Sequence, residues 1–570
     1  MSNLAFVALI WLTGISGGLL LYLGSKLTFF LDDWEFLVYR PGFNAHSILD
    51  PHGENIAIAP VLIYKALMGT VGMASALPYR VVSTATFLLS AILLFVLLKR
   101  RVGQWPALAA TAIVLFLGAA WEDLLWPFQI GYFGSMAAGL GMLLALERGD
   151  RRGDVVACLL LSVSIVFSSL GLPFLAGAAV EVLARGDRWR RLYVVAIPLA
   201  IYAAWWLGWG HTAESPLSVH NALGTPAFVF NSLTAALAST LGLASGWLGL
   251  ENHGLGWLRP LAIVALLLLA WRLYKLRGGS RWVWIALAIA LGFWILAGLN
   301  QMPGRDPTSS RYQYVGAVFI LLAAAELLRG VNFGRVPLLA MAVIAAFSVA
   351  SNVQALHSAF AHFYHPISRL EKADLGAVEI AGDTVEPGFV LSEEIAETGF
   401  VHVEAGPYLA ARDSYGSPAY TPAEIVAAPS LPRFAADKVL FWALPVSLTP
   451  VPASALPEHR ADPAPAPSAG ATPIPAGRCL VVPAKGAVSG LLSLPPGGAI
   501  LKAGDAPITR IRMERFATGP FPIEMTETIG PHRAAELRIP ADRSAVRWKI
   551  QLESSSPATV CGSAASAGPS

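Results

Sequence analysis

Charge is what this chain has least of. Only 14% of its 570 residues are Asp, Glu, Lys or Arg, while 55% are hydrophobic. A water-soluble protein carries nearer a quarter charged residues, so an ordinary soluble globule is excluded and the chain belongs in a bilayer. No G-x-x-x-x-G-K-[ST] loop is present to cradle phosphates, which argues against a soluble nucleotide as direct substrate. No internal repeat is found. The first apolar run lacks a basic leading segment and a small-residue cleavage site, so it reads as a retained span and not as a signal peptide. Basic and acidic residues nearly balance, 40 against 37, and no nucleic-acid partner is expected.

What is present is a series of long apolar runs. Crossing a hydrocarbon core of roughly 30 Å takes about 20 residues of helix. Such runs lie near 5–24, 80–98, 105–120, 130–146, 155–170, 172–184, 192–209, 260–274, 282–298, 312–328 and 336–352. Two further apolar stretches, 56–74 and 226–250, break the alternation and read as helices at or dipping into the interface: Asn55, Pro60 and Lys65 interrupt the first, and Gly, Ser and Thr weaken the second. Lys99–Arg101, then Arg148, Arg151 and Arg152, then Arg185, Arg188, Arg190 and Arg191 fill three alternate loops. Arg272 to Arg281 and Arg329 with Arg335 follow in two more. Basic loops are retained in the cytoplasm. The expected topology has the N-terminus inside and the C-terminus outside, although Lys26 after the first span runs against it.

The expected architecture is therefore mainly α: a polytopic transmembrane bundle of about eleven spans over 1–352, followed by an extracytoplasmic α/β region over 353–439. A Pro/Ala-rich linker over 440–477 and a small β-sandwich over 478–562 complete it. The last assignment rests on alternating runs such as Ile508–Met513 and Val546–Gln551 between Gly and Pro turns. Cys479 and Cys561 bracket that region, and a disulfide between them is the favoured pairing against two buried thiols. Cys158, in a span, reads as packing.

Immediately after the first span the chain reads Phe30-Leu31-Asp32-Asp33-Trp34-Glu35, three carboxylates within four residues. Such charge at a membrane surface asks for a reason beyond anchoring, although an acidic loop that merely enforces topology would also fit. Trp121-Glu122-Asp123 to Gln129 repeats the acidic and aromatic character in the second outer loop, either as a sugar-binding surface or as an aromatic belt. His46, His52 and Glu54 share the first loop with the Asp pair and would line the same pocket or help hold a cation, an ordinary polar loop being the alternative. Three histidines beyond the last span, His357, His362 and His365, read as a polar face near headgroups.

The hydrophobic architecture over 1–352, the Asp32–Asp33 pair and the run Ser310-Arg311-Tyr312-Gln313-Tyr314 together resemble the GT-C membrane glycosyltransferases. The resemblance implies a sugar donor carried on a polyprenyl phosphate, transfer to a glycan or lipid acceptor on the outer face, and contact with membrane lipids. Asp32 or Asp33 would then be the general base. Arg311 and Arg80 would stand at the departing phosphate, and Tyr312, Glu122, Asp123, Gln129, His52 and Glu54 would contact substrate. The cofactor is left open, a divalent cation such as magnesium or manganese being the candidate. The abundance of Ala, Gly and Arg suggests a high-GC bacterium and its inner membrane. A transporter or flippase for a lipid-linked sugar is the main alternative, disfavoured because the spans are nearly free of ionisable groups. A surface-polysaccharide polymerase or ligase, and an inert scaffold carrying an outer binding domain, complete the alternatives.

Overall fold

The computed structural model describes residues 2–243, 255–275, 280–391, 403–452, 471–483, 489–519, 523–525 and 527–563, together with 454, 456, 462 and 463. The chain divides into two units, Met1–Val71 with Ala76–His365, and Gly72–Ser75 with Pro366–Ser570.

The first unit is a helical bundle. Eight helices among the described residues are long and apolar enough to cross a membrane: Leu4–Gly24, Leu77–Val102, Gln104–Leu125, Pro127–Leu146, Val219–Thr240, Gly256–Lys275, Arg281–Leu299 and Arg335–Thr384. Seven of these match expected runs. The expected spans at 172–184 and 192–209 are the shorter apolar helices Gly171–Leu183 and Tyr193–Gly208. Those at 155–170 and 312–328 are the helices Arg151–Phe167 and Ser310–Leu327.

The eighth, Val219–Thr240, covers much of the stretch 226–250 expected at the interface and is long and apolar enough to cross; the end of that stretch lies outside the described residues. It starts earlier than the apolar run because the Ser218 side chain caps it by accepting from Asn221 N. Its threonines do not weaken it, since their hydroxyls donate to carbonyls one turn back: Thr225 to Asn221, Thr234 to Phe230 and Thr240 to Ala236. Polarity satisfied inside the helix itself is tolerable in hydrocarbon. The other doubtful stretch, 56–74, holds the 14-residue helix Ile58–Val71.

Ion pairs fix which helix ends share a face. Arg101, closing Leu77–Val102, pairs with Glu147 after Ile130–Leu146 and, at 2.5 Å, with Glu326 in the last turn of Ser310–Leu327. A second network centres on Glu181, which is fully buried and meets Arg185 at 2.8 Å, Arg281 at 3.0 Å and Arg191 at 3.6 Å. Arg191 also holds Asp154 at 2.5 Å. Because Glu147 ends one helix and Asp154 lies in the first turn of the next, Arg151–Phe167, the two networks occupy one end of the bundle, and the basic loops that dominate the sequence pattern converge there. The acidic first outer loop follows the opposite end of the first helix.

The second unit combines helices, among them Ala405–Tyr415 and Ser430–Ala443, with two sheets. Its strands are β1 (Ser447–Val451), β2 (Asp462–Pro463), β3 (Thr472–Pro473), β4 (Cys479–Val482), β5 (Leu492–Ser493), β6 (Gly497–Lys502), β7 (Arg510–Glu514), β8 (Ile523–Met525), β9 (Ala534–Ile539), β10 (Lys549–Glu553) and β11 (Ala558–Gly562). One sheet runs β1-β9-β6-β11-β4-β2 and the other β3-β5-β10-β7-β8. Burial alternates along β10, where Ile550 and Leu552 are buried between half-exposed neighbours, as a sheet with one covered face requires.

The Pro-rich stretch 440–477 contributes to this region: its first residues end a helix, and β1, β2 and β3 fall within it. All three strands are sheet edges and all three contain a proline, Pro450, Pro463 and Pro473. Proline has no N–H to give a ladder and is confined to edges, so the composition that suggests a linker is also that of edge strands.

A disulfide joins Cys479 to Cys561, which face each other across β4 and β11. Asp437 ties the helix Ser430–Ala443 to the sheets by accepting from the backbone N–H groups of Arg515, Phe516 and Ala517 at 2.7–2.9 Å. Burial pushes its carboxyl up to about 6 even though those N–H groups pull the other way.

Two stability tests follow from these ties. Replacing Glu181 by Ala takes the acidic partner from Arg185 and Arg281 and leaves Arg191 with Asp154 alone, and should cost about 3 kcal/mol, seen as a lower apparent melting temperature of the detergent-solubilised protein, with Glu181→Gln in between. Opening the 82-residue loop with Cys479→Ser should cost roughly 4 kcal/mol in the chain-entropy picture, measured as increased susceptibility of the second unit to proteolysis.

Candidate active site

The two adjacent aspartates point to different places. Leu31, just before them, has a φ of 44°, a left-handed conformation that a branched aliphatic residue adopts only under constraint. The turn it makes sends Asp33 inward. Its carboxylate is fully buried, accepts from Phe30 N–H at 2.9 Å and is hydrogen-bonded by the Tyr64 hydroxyl. Trp126 closes the turn from the second outer loop by donating its indole N–H to Phe30 O at 2.9 Å, and the rings of Phe29, Phe30, Trp34 and Tyr79 pack edge to face around it. Burial pushes the Asp33 carboxyl up to about 7, against the Tyr64 hydrogen bond and the Arg80 charge.

Asp32 faces outward into a cavity of about 110 Å³ lined also by His52, Glu54, Gln129, Tyr132, Arg305, Arg311 and Tyr312. A second cavity of about 380 Å³ adjoins it, since Glu54, Asn55, Tyr132 and Tyr312 line both. The second is more apolar and is walled by Leu172, Pro173, Tyr202, Trp206, Phe293 and Leu296. Of the residues singled out from the sequence, six therefore come together at one cavity: Asp32, His52, Glu54, Gln129, Arg311 and Tyr312.

The others sit elsewhere for identifiable reasons. Arg80 is buried, and its guanidinium is occupied with the carbonyls of Thr28, at 2.7 Å, and Leu125, tying the first and second outer loops together. Glu122 accepts from the backbone N–H of Arg311 at 3.0 Å, at the N-terminus of Ser310–Leu327 where a carboxylate is favoured. It also reaches the Arg311 guanidinium at 3.4 Å. Asp123 is fully buried, and neither of its oxygens has a hydrogen-bond partner among the described residues. His46 pairs with Asp50 at 3.1 Å on an exposed turn.

Two cavity residues were not anticipated. Arg305 meets Glu54 at 2.5 Å across 251 residues of sequence, and Tyr132 lies at the junction of the cavities. The available signal for Arg305 was an arginine in a loop on the face that the basic-residue alternation leaves sparse. Among the described residues no group of three or more His, Cys, Asp or Glu is arranged to hold a metal ion.

The first outer loop is built to present His52. A tight turn pairs His52 with Asn55 through two backbone hydrogen bonds of 2.9 Å, and Gly53 at its corner has a φ of 52°. Arg40 donates to the carbonyls of Asp50 and Pro51, both at 2.8 Å, and to Glu35 through two guanidinium nitrogens at 2.5 and 2.9 Å.

No family model matches the chain, and no curated protein does. Among solved structures it is similar to that of ArnT from Cupriavidus metallidurans bound to undecaprenyl phosphate. Sequence identity is 14%, the similarity covers 67% of this chain and 82% of that one, and the TM-score is 0.41. So distant a likeness assigns no residue a role, and the chemistry is argued from the cavity itself.

The raised Asp33 carboxyl gives a signed expectation. A group whose pKa is higher in the folded state contributes stability that is complete below its unfolded value, about 3.9, and is lost as pH rises through the folded value. Apparent melting temperature should fall between about pH 4 and pH 7 on this account. In Asp33→Asn that fall should shrink, and the variant should lose about 1–3 kcal/mol because an amide cannot accept from both Phe30 and Tyr64. Scanning fluorimetry across the range checks both.

Proposed function

We propose that this protein is a membrane glycosyltransferase that moves a sugar from a polyprenyl-phosphate-linked donor to a hydroxyl acceptor at the outer face of the membrane. Asp32 is the general base. The observation that carries this reading is the pairing, in one small cavity, of a carboxylate with two guanidinium groups, Arg305 and Arg311. The GT-C resemblance of the Asp32–Asp33 and Arg311–Tyr312 motifs supports the same assignment.

The chemistry accounts for each charge. As the acceptor oxygen attacks the anomeric carbon, its O–H bond breaks and the proton goes to the Asp32 carboxylate. The anomeric carbon–oxygen bond to phosphate breaks with its electron pair, leaving a polyprenyl phosphate monoester. That group departs as an anion, needing cations and no acid, and Arg305 and Arg311 would supply them. One base and no protein nucleophile fit a single displacement with inversion. Glu54 and Glu122, which pair with Arg305 and Arg311, would give way to phosphate. The adjoining apolar cavity offers room for a lipid chain, and the face bearing the ion-pair networks is assigned to the cytoplasm by its basic loops.

In this reading Asp33 supports the turn and Asp32 carries the chemistry. Asp32→Asn should reduce transfer from radiolabelled polyprenyl-phosphate sugars by at least about a hundredfold in protein that is still folded. Arg311→Ala and Arg305→Ala should each weaken donor use about tenfold or more, with Arg80→Ala lowering stability instead. Consumption of no such donor by the wild type, or full transfer by Asp32→Asn, rejects the assignment and moves the transporter reading ahead.

A further inference from the structure

We propose that His52 is the positioning residue for Asp32, a rigid strut that fixes where the Asp32 carboxylate points in the cavity, with Glu35 and Arg40 bracing it from behind. The inference rests on Asp32 being the base.

His52 has no ring nitrogen left for substrate. Its Nε2 lies 3.3 Å from Asp32 Oδ2 and its Nδ1 lies 2.6 Å from Glu35 Oε2. The ring packs against Phe36 and Phe128, at centroid separations of 5.5 and 4.7 Å, and those two rings meet each other at 5.2 Å. Glu35 is held in turn by Arg40, whose guanidinium is 94% buried, lies over the Phe36 ring and also clamps the carbonyls of Asp50 and Pro51 just ahead of His52. Arg40, Glu35, His52 and Asp32 thus alternate in charge along a line that ends at the cavity. Of the two carboxylates in that line, Asp32 lines the cavity and Glu35 does not.

The groups that face this imidazole are Asp32 and Glu35 on its nitrogens and the rings of Phe36 and Phe128 packed against it. Arg40 acts on it through Glu35, and Glu54, Arg305 and Arg311 line the same cavity. Burial alone would lower the His52 pKa, but hydrogen bonds and charge from Asp32 and Glu35 push it up to about 9. The ring is therefore held as an imidazolium, hydrogen-bonded to Glu35 and ion-paired with Asp32. Burial raises the Glu35 carboxyl, yet the His52 and Arg40 contacts outweigh it and hold that group below its usual range. A row of four partly buried charges is costly to assemble, and such arrangements gather where a reacting group must be held in one place. Without the strut Asp32 would be free to take other rotamers, and a base misplaced by about 1 Å loses on the order of a hundredfold.

The test uses the full-length protein in nanodiscs and compares wild type with His52→Gln, His52→Ala and Glu35→Gln in transfer from a radiolabelled polyprenyl-phosphate sugar. A positioning role predicts a kcat lowered about ten- to a hundredfold with donor KM within about twofold, and partial retention in His52→Gln, whose amide can still donate to Asp32. It also predicts that wild-type activity declines as pH rises through about 9 and that this alkaline limb is absent in His52→Gln. A raised KM at unchanged kcat, or the same alkaline limb in the variant, overturns the proposal. Ring titration by NMR of 15N-histidine-labelled protein separates this from the function itself. His52 should titrate near 9 in wild type and lower in Glu35→Gln and Asp32→Asn whether or not any donor is used. An ordinary value near 6.5 in wild type refutes the strut, whereas a raised value in a protein that transfers no sugar refutes only the glycosyltransferase reading.

Discussion

A carboxyl group removed from water between a backbone N–H and a tyrosine hydroxyl holds together the end of the bundle where the first helix finishes. Asp33 costs desolvation, and the hydrogen bonds from Phe30 and Tyr64 make that cost tolerable only while the turn at Leu31 keeps its left-handed shape. Everything nearby is referred to that turn. Trp126 reaches it from the second outer loop, Arg80 binds the carbonyls on either side, and Tyr64 brings in the helix Ile58–Val71. Because Asp33 faces in, Asp32 must face out.

The opposite end of the bundle is organised by a different balance. There the basic loops carry matched acids, Glu147, Glu181 and Glu326, placed at helix ends where each meets guanidinium groups from other helices. Pairing of this kind adds modestly to net stability but penalises any arrangement that leaves one member alone, so it specifies which helix ends belong together. The other end uses charge differently: Glu54 and Glu122 hold Arg305 and Arg311 at the wall of a cavity.

How much of this was legible in the sequence depends on how local each signal is. Apolar runs and basic loops are local, and they located most of the bundle. The acidic loop was visible as a place where charge had no structural excuse, and six of the residues named from sequence line one cavity. The separate roles of Asp32 and Asp33 were not visible, because a single strained φ at Leu31 decides them. Nor could the grip on His52 be read, since it depends on a turn at Gly53 and on Arg40 bonding to carbonyls ten residues away. The helix Val219–Thr240 was undervalued because composition counts a threonine as polar whether or not its hydroxyl is already bonded to the helix. Arg305 pairs with a residue 251 positions distant, which no window along the chain can reveal.

The prolines of the second unit carry a consequence for how the molecule behaves among its neighbours. A sheet edge is an open row of hydrogen-bonding groups that another chain can dock against, and crowding at a cell surface makes such docking frequent. Both edges of the six-stranded sheet and one edge of the five-stranded sheet bear a proline, and β8, at the remaining edge, is three residues long and follows Pro520 and Pro522 in sequence. Each edge is thus a poor template for strand addition. The residue that makes this stretch look unstructured is also what keeps the described sheet edges from recruiting a further strand.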